Sequence, residues 1–181
     1  MRTMGDIVKL DALDLLHIAL FSERQRCVKR SLSVPSRKYD QRKGEYEVQY
    51  IGTMGEYAIS KHCDVPIDTN IHVGGDNGTD LVINGWGCQV KTTVYGGKTI
   101  DVIVNSMDEF KAQVLIGVQV LSPTRVKILG CIGRRRFRKC AITKDYGYGE
   151  RLKVSAQELA PIDVLNQIAS DHVLQGGLTW Q

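Results

Sequence analysis

Apolar and polar positions alternate most sharply between residues 79 and 92, on either side of an Asn84-Gly85 pair. A period of two marks strands. Asn-Gly is the dipeptide that a two-residue type I′ turn favours, because both central residues need positive φ. Counting outward from that turn sets Ile83 against Trp86, Val82 against Gly87, Leu81 against Cys88 and Asp80 against Gln89. Opposed residues share a face of the hairpin, and a residue two positions along the strand joins them. One face then carries Leu81, Ile83, Trp86, Cys88 and Val90, and the other carries Asp80, Gln89 and Lys91.

Around the hairpin the period changes. Residues 11–30 place Leu13, Leu16 and Leu20 on one helical face, with Ile18 and Phe21 slightly off phase. Acids stand in the first turn and bases in the last, as the helix dipole favours. Residues 31–44 are polar and basic, contain Pro35, and are expected to form a loop. A second helix is expected over 45–63, with Ile51, Gly55, Ala58 and His62 on one face. Glycine costs about 1 kcal/mol in a helix interior, so Gly52 and Gly55 imply a close approach to a sheet. The stretch 64–78 is rich in turn residues, with a short strand expected at 69–73. Further strands are expected at 99–104, 114–121 and 125–132, with a helical turn at 106–111 and a turn at Ser122-Pro123. Gly133 opens the basic run GRRRFRK, which a loop, DYGYG, follows. Ser155 and Glu158 form a capping box, predicting a last helix from there to about residue 169. No repeat, low-complexity segment or domain boundary interrupts the pattern. The expected architecture is a single α/β domain over residues 1–181, a central mixed β-sheet flanked by helices.

Composition narrows the function classes. Hydrophobic content of 43% and charged content of 24% are those of a soluble globular chain. No apolar run reaches the length of a membrane span, and the first residues lack the apolar core of a signal peptide, so a cytoplasmic location and no membrane partner are expected. The five cysteines are odd in number and widely spaced, which speaks against a disulfide framework, a zinc knuckle or an iron–sulfur cluster. They read as buried thiols. The net charge of +4 is unevenly spread: residues 24–43 carry +7 and 122–153 carry +8, whereas 44–121 carry −6. An acidic middle between basic blocks suits a cation site beneath a polyanion, and it equally suits two solvated basic loops. Arg134, Arg135, Arg136, Arg138 and Lys139, with Phe137 among them, are candidate phosphate contacts. Tyr146 and Tyr148 are candidates for stacking on bases or for loop packing.

A strand carrying Asp80 and Lys91 among apolar neighbours is costly unless those groups are used. An exposed hairpin face with a surface salt bridge is the plainer alternative. The order of the chain favours use: Gly52-x-x-Gly55-Glu56 with Ala58 on a helix, Gly78-x-Asp80 entering a hairpin, then Gln89-x-Lys91-Thr92. With these residues the chain resembles the PD-(D/E)XK nuclease superfamily, in its QxK form, over roughly residues 45–165. The resemblance implies a restriction-endonuclease-like core and a Mg²⁺-dependent nuclease acting on DNA as an endonuclease in restriction, repair or junction resolution. RNA would satisfy the same charges, Mn²⁺ would substitute for Mg²⁺, and a homodimer would suit double-strand cleavage. It also implies roles. Asp80 supplies the main carboxylate, Gln89 its amide oxygen, Val90 its backbone carbonyl, and Glu56 binds the metal directly or through water. Lys91 orients the attacking water and offsets charge in the transition state. Those assignments suit a cation that prefers oxygen donors. The family usually has a carboxylate where this chain has Gln89, which removes one negative charge from the site. The alternative from another class is a catalytically silent nucleic-acid-binding or assembly module that keeps the fold.

Other motifs fall away. Residues 85–92 miss the P-loop pattern because Val90 replaces its last glycine and no helix follows. His17, His62, His72 and His172 show no metal-binding spacing and read as helix or loop histidines. Asp76 reads as a turn residue.

Overall fold

The structure, a computed structural model, describes residues 5–32, 44–69, 78–96, 99–147 and 149–166. Asn84 and Gly85 both take positive φ, 50° and 84°. The strands that they join, β2 (Leu81–Ile83) and β3 (Trp86–Thr93), pair in the register that the turn implies, Leu81 with Cys88 through Ile83 with Trp86. On its other edge β3 pairs in parallel with β5 (Val114–Ser122), placing Gln89 beside Leu115 and Lys91 beside Gly117. β5 turns back antiparallel into β6 (Arg125–Gly133), and β6 pairs with β1 (Ile7–Lys9), a short strand that hydrophobic pattern alone did not reveal. The result is a mixed five-stranded sheet in the order β1-β6-β5-β3-β2.

The two faces of this sheet are covered differently. One face, with Cys88, Val90, Val114, Ile116 and Val118, packs against α1 (Ala12–Ser31) and α2 (Glu45–Cys63). The opposite face, with Leu115 and Ile132, meets a three-stranded sheet, β4 (Asp101–Val104), β7 (Ile142–Asp145) and β8 (Glu150–Ser155) in the order β4-β8-β7, and the short helix α3 (Arg134–Cys140). Phe137 of α3 stacks edge-on against Phe110, ring centroids 5.3 Å apart, to close that side. The chain is therefore α/β, a mixed sheet flanked by helices, with a second sheet sharing one face.

Asp11 caps α1 in a reciprocal capping box, its carboxylate accepting from Leu13 and Asp14 and the Asp14 carboxylate accepting from the Asp11 amide. Lys61 of α2 ties both carboxylates to the second helix. The apolar face expected for α1 is turned outward. Its buried residues are Asp14, Ile18 and Ser22, whereas Leu13, Leu16 and Leu20 are 60%, 53% and 61% exposed. Ile18, off phase with the leucines, marks the face that packs.

The C-terminal region also departs from expectation. The DYGYG stretch is the turn of a hairpin, β7–β8, not an isolated loop. Ser155 does cap the following residues, accepting from the Gln157 amide at 3.3 Å, but only one 3-10 turn, Ala156–Glu158, results. Ala160 then exchanges backbone hydrogen bonds of 2.8 Å with Cys131, which holds the chain extended, and Pro161 has no N–H to continue a helix. The chain turns helical again at residues 164–166. The strand expected at 69–73 falls almost wholly outside the described residues, as do residues 167–169 of the expected last helix, His72, Asp76, Tyr148 and His172.

Candidate active site

β2 is only three residues long, and past Leu81 one further backbone bond, Asp80 N donating to Cys88 O at 2.8 Å, joins the two strands. The next amide of β3, at Val90, is taken by the Asp80 carboxylate, with Val90 N donating to Asp80 Oδ2 at 2.6 Å. The carboxylate therefore stands at the strand edge, in line with the main chain of β3, where a fourth pair would otherwise form. A strand residue directs its N–H and C=O to the same side, so the Val90 carbonyl is aimed at that edge too.

The register expected to set Asp80 against Gln89 ends at Leu81 and Cys88, and the Asp80 amide bonds to Cys88 instead. Gln89 is the buried member of the group. Its residue exposure is 8%, and among the described residues its Oε1 is buried without a hydrogen-bond partner. Leaving such an acceptor unmet costs about 1–3 kcal/mol; the hydroxyls of Ser22, Thr53 and Thr92 are buried in the same way, and Gln89 differs from them in standing beside the Asp80 carboxylate's bond to Val90. Lys91 follows on the same face, half-buried, and makes no ion pair among the described residues. The surface salt bridge of the plainer reading is thus not formed by Lys91. Beneath this edge lies Cys88, whose thiol burial pushes up to about 12, with Cys131 and other neighbours adding to the shift. It plays no nucleophilic part near neutral pH.

Glu56 comes from the other side. α2 crosses β3 where Gly55 meets Thr92 and Val118; a Cβ on Gly55 would stand 2.0 Å from Thr92 Oγ1 and 2.8 Å from Val118 Cγ2. Gly55 is the close approach that the sequence called for. Gly52 is not: a Cβ there would meet nothing within 4 Å. Glu56 is the next residue of the helix, half-buried, above the face of β3 opposite to Gln89 and Lys91. The hairpin bonds Asp80 to Val90, which stands in the strand between Gln89 and Lys91, and Glu56 lies on the helix that crosses β3 at Thr92.

The basic run forms α3 on the same side of the sheet as Gln89 and Lys91. Its start is tied to β3 through two backbone bonds, Gln113 N to Gly87 O at 2.9 Å and Arg134 N to Gln113 O at 2.8 Å. Arg134 turns inward, its Nε donating to the Phe110 carbonyl at 2.6 Å and its Nη2 to that of Met107 at 3.4 Å. It holds the 107–110 segment and has little left for phosphate. Arg135, Arg136, Arg138 and Lys139 are exposed, Arg136 lying 3.5 Å from Glu158. On the adjoining β7–β8 hairpin Lys144 lies over the Tyr146 ring at 5.1 Å, an addition to the basic surface that the residue pattern had placed in a loop.

The oxygen donors Asp80, Gln89 and Val90 fit a hard divalent cation, and the unmatched Gln89 oxygen is the observation that makes the fit more than compositional. Cys88 neighbours them, but burial holds its thiol protonated, which removes it as a soft ligand near neutral pH. The sequence matches no protein-family model and no curated protein, so the functional reading rests on these residues and their arrangement. No helix among the described residues is long and apolar enough to cross a membrane.

Proposed function

We propose that the chain is a metal-dependent nuclease that hydrolyses phosphodiester bonds in DNA, built on a restriction-endonuclease-like core. One observation carries the reading: at the hairpin edge the Asp80 carboxylate accepts from the Val90 amide, between Gln89, whose side-chain oxygen is buried without a partner among the described residues, and Lys91. Mg²⁺, or Mn²⁺ in its place, would be held by Asp80, Gln89 and the Val90 carbonyl, with Glu56 completing the set. When bound, the cation supplies Lewis-acid polarisation of the phosphate and a more acidic water.

The chain's own residues do the rest. The Val90 amide fixes the orientation of the Asp80 carboxylate at the strand edge. Gln89 contributes a neutral donor that does not compete with Lys91 for charge. The Lys91 ammonium orients a water by hydrogen bonding and offsets negative charge as it builds on the phosphoryl oxygens. Arg135, Arg136, Arg138 and Lys139 lie on the same side of the sheet and would hold the backbone of the substrate, positioning it without reading sequence. RNA offers the same phosphates, and discrimination rests with contacts to the sugar. A homodimer, placing two such edges on opposite strands, suits double-strand cleavage.

The test is Mg²⁺-dependent cleavage of plasmid and single-stranded DNA, with EDTA as control, by the wild type and by Asp80→Asn and Lys91→Ala. Loss of cleavage in folded variants supports the assignment. DNA binding by the wild type without any metal-dependent cleavage would favour the silent nucleic-acid-binding module instead.

A further inference from the structure

Away from the hairpin edge, three side chains that are remote in sequence converge at the far end of α2. Asp6 precedes β1, His62 lies in the last turn of α2, and Asp163 follows the segment bridged to β6. One potential ligand atom from each lies within 4.8 Å of the others. We propose that Asp6, His62 and Asp163 form a second cation site, for a first-row divalent metal of the zinc class, that fastens the N-terminal strand and the C-terminal segment to α2.

Several observations separate this group from ordinary surface carboxylates. The imidazole is half-buried between two exposed aspartates. Its Nε2 faces Asp6 Oδ2 at 3.8 Å, beyond hydrogen-bond length. The pair stands at ion-pair range, about 0.4 Å wider than the ~3.4 Å between two donors of a tetrahedral ion with bonds of about 2.1 Å, so a small side-chain movement would close it on a metal. A neutral imidazole offers Nε2 a lone pair that no carboxylate can use and that a metal can. One imidazole with two carboxylates is a mixed nitrogen–oxygen set, which favours zinc, cobalt or manganese over magnesium.

The backbone presents the ligands from fixed positions. The Asp6 carbonyl accepts from Ile128 N at 2.8 Å, and the Asp163 carbonyl accepts from Asn166 N at 3.0 Å. The C-terminal end of α2, with its unpaired carbonyls, also favours a cation. No spacing motif announces such a site, because its ligands come from three separate segments. The histidine that the sequence presented as an ordinary helix residue is its centre. A metal there would tie β1 and the 160–166 segment, both joined to β6, to the helix that carries Glu56.

The experiment uses the full chain carrying Asp80→Asn, stripped with EDTA and desalted, so that the hairpin edge is removed as a competing site. Co²⁺ is the probe, followed by its visible absorption, with Zn²⁺ competition and thermal unfolding alongside. The expected result is uptake of one equivalent without a thiolate-to-cobalt band, displaced by Zn²⁺. The melting temperature should rise with metal concentration. His62→Ala should weaken uptake at least tenfold, and so should Asp163→Asn, an exposed substitution that spares the fold. Equal affinity in the two variants and their parent, a thiolate band, or no uptake by the parent would overturn the proposal. Nuclease activity is not read in this assay, so its outcome is separate from the fate of the hairpin assignment.

Discussion

Replacing Gly55 by alanine measures how closely α2 must approach β3. The added Cβ would stand 2.0 Å from Thr92 Oγ1, 2.8 Å from Val118 Cγ2 and 3.1 Å from Thr92 Cβ. Non-bonded carbons rest ~3.5–4.0 Å apart, so the helix must lift by roughly 1 Å at this point. Thr92 can rotate its hydroxyl aside, but its Cβ and the Val118 methyl belong to the sheet. Overpacking of this kind costs about 1–3 kcal/mol, while replacing glycine within a helix returns about 1 kcal/mol. A net loss of up to about 2 kcal/mol is expected. Gly52→Ala is the internal control. Its Cβ would meet nothing within 4 Å, so it should gain about 0.5–1 kcal/mol. Urea denaturation followed by circular dichroism reads both, as midpoints compared at constant slope. The two substitutions should move the midpoint in opposite directions. Shifts of the same sign would refute this account of how α2 sits on the sheet. Since Glu56 follows Gly55, lifting the helix should also reduce cleavage, and Gly52→Ala should leave it intact.

The other predictions concern the thiols, the arginines and Gln89. At pH 8 Cys27, the exposed thiol, should react quickly with a disulfide reagent, and Cys88 and Cys131 only on unfolding. Burial raises the Cys88 and Cys131 thiols from 9.0 to about 12, so the unfolded chain loses these protons first. Their contribution to stability is full below pH 9 and is lost as the pH rises toward 12, by about 1.4 kcal/mol per pH unit for each thiol. The slope should shrink in Cys88→Val when stability is measured between pH 9 and 11. Arg134→Ala should lower stability by about 1–3 kcal/mol by stripping the Phe110 and Met107 carbonyls of a charged donor, as denaturation will show. Arg138→Ala and Lys139→Ala should leave stability near wild type and reduce the slope of log K against log salt for DNA binding by about one each. Gln89→Glu should tighten Mg²⁺ binding in calorimetry by adding charge at the buried oxygen. Equal affinity would mean that Gln89 does not reach the ion.

The parts of the fold legible in the sequence are those with a local cause. Asn84-Gly85 favours one turn geometry, and that turn sets the register from Ile83 with Trp86 to Leu81 with Cys88. One residue further the count slips, because the Asp80 amide bonds to Cys88. Gly55 announced a close helix–sheet contact because nothing else explains a glycine there. What stayed hidden depends on distant partners. β1 is three residues long and exists through its pairing with β6. β7 is exposed along its whole length, so no alternation marked it. The last helix does not run on from the Ser155 cap: Ala160 pairs with Cys131, a contact that the cap cannot foresee, and helix resumes only at residues 164–166. α1 shows the converse. Its strongest apolar stripe faces outward, and its packed face is built around Ile18 with a buried, ion-paired Asp14. Asp80, Gln89 and Lys91 could be read because one hairpin carries all three. Arg134, chosen for its charge, faces two backbone carbonyls that only the folded chain brings to it.

The most direct measurement is single-turnover cleavage of a supercoiled plasmid by the full chain, titrated with Mg²⁺, beside Asp80→Asn verified as folded by circular dichroism. The account predicts cleavage that rises with Mg²⁺, stops with EDTA, and falls by orders of magnitude in Asp80→Asn although DNA is still bound. Cleavage by folded Asp80→Asn at the wild-type rate, or wild-type cleavage that persists in EDTA, would contradict it.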